Sequence, residues 1–90
     1  MDSYIAYLRK DRNSDYGVEF PDLPGCVSAG STIDEAKAMA AEALAGHVAV
    51  LQEEGISVPL PSTMEQLANN PHRGDAVFLL VEAAQQHLAG

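Results

Sequence analysis

Residues 16–36 read YGVEFPDLPGCVSAGSTIDEA. Tyr16, Val18 and Phe20 alternate with Gly17 and Glu19, the pattern of a strand with one apolar face and one wet face. Pro21 has no N–H to offer a ladder and ends the strand. Asp22-Leu23-Pro24-Gly25 forms a tight corner, because Pro24 fixes its own φ and Gly25 tolerates a positive one. Residues 26–29 then run back as a short strand. Thr32 follows as a helix N-cap, and Glu35, three residues on, completes a capping box. Asp34 and Glu35 place negative charge at the positive end of the helix dipole.

The helix that opens at Thr32 is predicted to run to about Glu54, with Gly55 as the left-handed residue that ends it. At 1.5 Å per residue, roughly 22 residues span about 33 Å. Ile33, Ala36, Ala40, Ala43, Leu44, His47 and Leu51 fall on one face. Much of that stripe is alanine, so the helix is expected to lie close to a sheet. Gly46 weakens the helix by about 1 kcal/mol relative to alanine, and close packing is one reason to have it there.

Upstream, residues 3–9 (SYIAYLR) read as the first strand, with Tyr4, Ala6 and Leu8 on one face and Ile5 and Tyr7 on the other. The polar residues 10–15 supply its hairpin connection. Downstream, residues 56–61 (ISVPLP) are held extended by their prolines. Ser62 with Glu65 predicts a second capping box and a short helix to about Ala68. Residues 69–75 read as a loop. Residues 76–81 (AVFLLV) read as a fourth strand, apolar on both faces, which fits a central position or burial against a partner. Residues 1–82 form one domain, and 83–90 are a tail or the start of a further segment.

The order strand–strand–strand–helix–strand predicts a two-layer α+β domain. One helix covers one sheet face. The face with Ile5 and Tyr7 has no second long helix to cover it, so a homo-oligomer (dimer or tetramer) or a docked partner is expected.

A chain of 90 residues buries only roughly 60–65% of its unfolded surface. Its 47% hydrophobic content excludes intrinsic disorder as the default. Thirteen acidic and five basic residues give a net charge of −8. Such a surface repels phosphate backbones, so direct nucleic-acid binding is not expected. It suits a basic protein partner, and equally it serves solubility. Cys26 is the single cysteine, which excludes an internal disulfide and agrees with a reducing cytoplasmic setting. The start of the chain lacks a basic segment followed by an apolar run, and the apolar run at 76–81 is far too short to span a membrane.

Residues with chemical potential read as structural. His47, His72 and His87 lack metal-ligand spacing. Cys26 has no Cys/His signature and reads as a small buried side chain. Glu19, Asp22, Asp34 and Glu35 could in principle hold a divalent cation, but a wet strand face, a turn and a helix cap account for them. Tyr4, Tyr7, Tyr16, Phe20 and Phe78 lack interleaved basic residues and read as core rather than base-stacking platforms. No catalytic residue, cofactor or metal is expected.

The segment at 16–26, YGVEFPDLPGC, resembles the HicB antitoxin family. The likeness continues through Ser28, Gly30, Thr32, Glu35 and Ala36, and resumes at Glu54, Gly55, Pro59, Pro61 and Ser62. It covers residues 3–62 well and the fourth strand loosely. The resemblance implies a partial RNase H-like fold without nuclease activity. It implies an antitoxin that binds HicA, a small basic mRNA-cleaving toxin, and blocks its active site. Many members of the family add a C-terminal DNA-binding domain that represses the operon. This chain ends at Gly90, before such a domain, and repression is not assigned to it. The corner at Asp22, Leu23, Pro24 and Gly25 is the candidate partner-binding site. Two other readings stand beside this one: a solitary oligomeric HicB-like binding domain without a toxin, and a metal-dependent RNase H-like nuclease.

Overall fold

Alternating apolar residues give each strand one face to bury, and no single strand can do so alone. The computed structural model, which describes residues 3–10, 12 and 15–83, joins four such strands into one sheet. Strands β1 (Ser3–Lys10), β2 (Tyr16–Glu19) and β3 (Val27–Gly30) come first. Helix α1 (Ile33–Glu53), the short helix α2 (Met64–Ala68), a 3-10 turn at Pro71–Arg73 and strand β4 (Val77–Glu82) follow. The strands lie in the order β3-β2-β1-β4 and every neighbouring pair is antiparallel. This is the expected two-layer α+β arrangement.

The register sorts the side chains. Tyr4 lies opposite Val81, Ala6 opposite Leu79, and Leu8 opposite both Val18 and Val77. Opposed residues share a face. Tyr4, Ala6, Leu8, Val18 and Val81 therefore form one apolar surface, closed by Ala36, Ala40 and Leu44 of α1. The alternations read for β1 and β2 both hold. On the opposite face Tyr7 is fully buried with Leu67 and Ala76, and Ile5 and Phe78 pack beside them.

α1 ends are set locally. The Thr32 hydroxyl accepts from the Glu35 N–H at 3.0 Å, but the Glu35 carboxylate reaches one residue further back than expected, to the Ser31 N–H at 2.8 Å. At the other end the Ile56 N–H donates to the Leu51 carbonyl and the Gly55 N–H to that of Gln52, a Schellman motif with Gly55 at φ 70°.

The close approach of helix and sheet is at Gly30, not Gly46. A Cβ on Gly30 would lie 2.4 Å from the Ala36 backbone nitrogen, whereas one on Gly46 would meet open space. The apolar stripe also differs at its start: Ile33 is 47% exposed, and the buried stripe begins at Ala36.

Two strands start one residue later than expected. β3 begins at Val27 and β4 at Val77, since Cys26 and Ala76 are turned into buried positions before the ladders start. The second capping box is Thr63 with Gln66, not Ser62 with Glu65, because Ser62 is engaged elsewhere. β4 is an edge strand rather than a central one. The second sheet face is also not open throughout, because five-residue α2 covers its β1 and β4 side through Leu67. The connection at 10–15 lies partly, and the segment at 84–90 wholly, outside the described residues.

Candidate protein-binding site

The corner expected from its prolines and glycine closes as a chain of backbone hydrogen bonds. The Leu23 N–H donates to the Phe20 carbonyl at 3.0 Å, Cys26 N–H to Leu23 at 2.9 Å, and Phe20 N–H to Cys26 at 3.1 Å. Gly25 takes φ 89°, a conformation that L side chains avoid. The four corner residues do not share one environment. Leu23 is 1% exposed and belongs to the core, so its side chain is not on offer to a partner. The Asp22 carboxylate accepts from both the Ser62 N–H, at 2.8 Å, and the Ser62 hydroxyl. It staples the corner to the segment that delivers α2. Pro24 and Gly25 alone are exposed.

A second polar constellation lies on the α2-covered face. β1 carries Arg9 two residues after Tyr7, and β2 carries Glu19 opposite Tyr7, so all three share that face. The Arg9 guanidinium pairs with the Glu19 carboxylate and also donates to the carbonyls of His72, at 2.7 Å, and Arg73, at 3.2 Å. The His72 ring sits 3.1 Å from Glu19 through Nε2. Arg73 lies over the Phe78 ring at 4.6 Å, Arg9 lies 5.4 Å from the centre of the Tyr7 ring, and the two rings stack 6.1 Å apart. The turn at Pro71–Arg73 is thus clasped to the sheet.

The electrostatics follow from this packing. Burial pushes Glu19 up, but hydrogen bonds from Arg9 and His72, together with their charges, outweigh it and leave the carboxyl below its usual range. Burial raises the Tyr7 phenol, and the Glu19 charge adds to the shift. The Tyr7 hydroxyl donates to the Leu67 carbonyl at 3.0 Å, which fixes α2 over the ring. Burial also raises Cys26, so its thiol stays protonated and inert.

The sequence does not single out Arg9 or Arg73, and it marks His72 only as a histidine without metal-ligand spacing. Local spacing carries no sign of them, since more than sixty residues separate Arg9 from the turn it holds. The one available signal was parity: Arg9 is in phase with Tyr7 along β1. Among the described residues no three of His, Cys, Asp and Glu gather in a geometry that could hold a metal ion. No helix among them is long and apolar enough to cross a membrane. The turn at Pro71–Arg73 is clasped to the sheet, the corner is stapled to the segment before α2, and the outer edges of β3 and β4 carry no further strand among the described residues.

Comparison with known proteins agrees with that geometry. Residues 4–90 match the family described as HicB_like antitoxin of bacterial toxin-antitoxin system. An uncharacterized 14.9 kDa protein from the rep-hol intergenic region of Haemophilus phage HP1 is 37% identical over 78 residues, covering 87% of this chain and 59% of the phage protein. The crystal structure of the Burkholderia pseudomallei antitoxin HicB superposes with a TM-score of 0.80 at 42% identity, over 91% of this chain and 63% of that one. This chain thus spans about three fifths of the length of each of these two relatives. A chain of the HicA3 and HicB3 toxin-antitoxin complex superposes with a TM-score of 0.75 at 27% identity, over 92% of this chain and 99% of that one. The chain belongs to the HicB-like antitoxin family of bacterial toxin–antitoxin systems.

Proposed function

We propose that this chain is the neutralising half of a toxin–antitoxin pair, binding a small basic HicA-type toxin and preventing its cleavage of mRNA. The observation that carries the reading is the likeness, along nearly the whole chain, to a protein solved within a HicA3 and HicB3 complex. The −8 charge supports it, because an acidic surface speeds encounter with a basic partner and mimics the charge of the RNA it would displace. On this reading the chain inhibits by occupying a surface and catalyses nothing itself. Glu35 caps α1, Asp22 staples the corner and Glu19 pairs with Arg9, and among the described residues no three of His, Cys, Asp and Glu gather where they could hold a catalytic cation.

Within this reading residues 1–82 are the binding domain and 83–90 lead out of it. The exposed tip at Pro24 and Gly25 is the part of the expected corner that remains for toxin contact. The protein works in the cytoplasm, where a lone buried thiol stays reduced.

The test looks beside the gene for a short reading frame encoding a small basic protein and pairs that protein with the chain; the absence of such a neighbour would count against the reading. That neighbour is expected to arrest growth alone, to be harmless when co-expressed, and to co-purify with this chain. Purified toxin should lose RNA cleavage at stoichiometric antitoxin. Equal cleavage with and without the chain would sink the reading.

A further inference from the structure

The chain between α1 and α2, residues 54–63, forms no helix or strand and yet is held along its length. Its start is fixed by the Schellman motif at Gly55, where the Ile56 N–H reaches the Leu51 carbonyl. In its middle the Val58 side chain packs on the core, and the Tyr4 hydroxyl donates to the Pro59 carbonyl. Its end is tied where the Asp22 carboxylate accepts from both the N–H and the hydroxyl of Ser62. Pro59 and Pro61 fix their own φ and restrict Val58 and Leu60, the residues before them. Leu60 is thus constrained from both sides. Its side chain is 84% exposed, more than any other large apolar side chain among the described residues. Ile56 and Met64, each more than half exposed, flank it along the chain. A leucine held still in water adds little to the fold, but a partner can bury it without further loss of chain entropy.

Charge selects the kind of partner. Residues 38–72 contain no lysine or arginine, and their four glutamates, Glu42, Glu53, Glu54 and Glu65, are all exposed. Glu53 and Glu54 stand at one end of the linking segment and Glu65 at the other. A protein that buries Leu60 therefore meets only negative charge around it, and a basic one is favoured. We propose that Leu60 is the anchor of the toxin-binding surface. It enters an apolar pocket of the toxin, with Ile56 and Met64 beside it, while basic toxin side chains meet Glu53, Glu54 and Glu65. This inference rests on the toxin reading above and adds where on the chain the toxin sits. Pro24 and Leu60 each stand two residues from the Asp22–Ser62 staple, so the exposed tip of the corner lies at the margin of the same surface. An apolar centre inside a charged rim is the common anatomy of a protein interface.

The experiment measures binding of the whole chain to the purified small basic protein encoded beside its gene, by surface plasmon resonance at low and high salt. Leu60→Ala should weaken the complex about 10–50-fold, mostly through faster dissociation. Leu60→Lys should weaken it further, because it sets a cation against cations. Both variants should keep the circular dichroism and melting midpoint of the unmodified chain, since the side chain is exposed. Glu53→Gln combined with Glu54→Gln should slow association and flatten its salt dependence. Val77→Ala, at an exposed site on the end of β4 away from Tyr4, should bind as the unmodified chain does. Failure of the unmodified chain to bind overturns the toxin reading and this surface with it. Tight binding that survives both Leu60 variants overturns the surface alone, as does a complex weakened by Val77→Ala and not by Leu60→Ala. A mass lowered by Leu60→Ala in sedimentation of the chain without toxin would make the occupant a second copy and overturn the proposal as well.

Discussion

On the α1 face of the sheet, Tyr4, Ala6, Leu8, Val18 and Val81 are sealed by a helix of 21 residues through Ala36, Ala40 and Leu44. On the opposite face, Tyr7 and Ala76 are sealed by a helix of five residues through Leu67, and polar contacts do the rest. Both faces start from the same alternation along β1. The difference is in what arrives to cover them. A long alanine-rich helix meets the sheet backbone directly and needs no polar help. A five-residue helix is too short to be stable by itself and has to be held. The Tyr7 hydroxyl on Leu67, the Asp22 staple on Ser62 and the Arg9 clasp on the turn at Pro71–Arg73 hold it and its flanks. One face is a core and the other is an assembly of tethers.

Equal truncations on the two faces test this contrast most strongly. Leu44→Ala should cost about 3–4 kcal/mol in urea unfolding, because the rigid helix and sheet cannot close around the cavity. Leu67→Ala should cost about 2 kcal/mol, the lower end for such changes, because α2 can shift inward. Equal losses would mean that the second face is packed as firmly as the first. The contact between α1 and β3 admits a sharper test. Gly30→Ala should destabilise by about 2–3 kcal/mol, since its Cβ meets backbone atoms of Ala36 and Glu35 that no rotamer change can move. Gly46→Ala is the paired control and should be neutral or stabilising.

The tethers should respond more mildly. Tyr7→Phe keeps the ring stack with Phe78 and removes only the hydrogen bond to the Leu67 carbonyl, for a loss of about 1 kcal/mol. The smallest effect is that of pH. Glu19 has a lower pKa in the folded protein than in the unfolded chain, so it stabilises the fold above the ordinary glutamate range. That contribution is lost as pH falls through this range towards the folded value. It amounts to less than about 1 kcal/mol, as for other partly exposed ion pairs. Unfolding midpoints of the native chain and Glu19→Gln should therefore converge on acidification. Midpoints that stay parallel would show that the clasp does not stabilise the fold through the Glu19 charge.

Much of the fold was legible because its signals are local. Alternation in β1 and β2, the Thr32 cap, the Gly55 terminator and the corner around Pro24 each depend on residues within a turn of one another. The misreadings share a cause. Ser62 looked like an N-cap until Asp22, forty residues earlier, proved to hold it. Gly46 looked like the point of close approach, while the tight contact is at Gly30, whose neighbour Ala36 is across the layer boundary. β4, apolar on both faces, read as either a central strand or one buried against a partner; the central alternative fails, since it is an edge strand with Val77 and Leu80 largely exposed. The corner at Asp22–Gly25 was a candidate partner-binding site as a whole, yet it divides into a buried Leu23, a tied Asp22 and an exposed tip.

By itself the sequence determined the elements, their caps and which residues share a face, because propensity, capping and parity act over a few bonds. Its motif around residues 16–26 also pointed to the antitoxin family. Only the tertiary structure decided the strand order, the identity of the edges, and the meeting of Arg9 and Glu19 with His72. Those depend on which segments, distant along the chain, come to lie side by side, and burial and hydrogen bonding set that over the whole molecule at once.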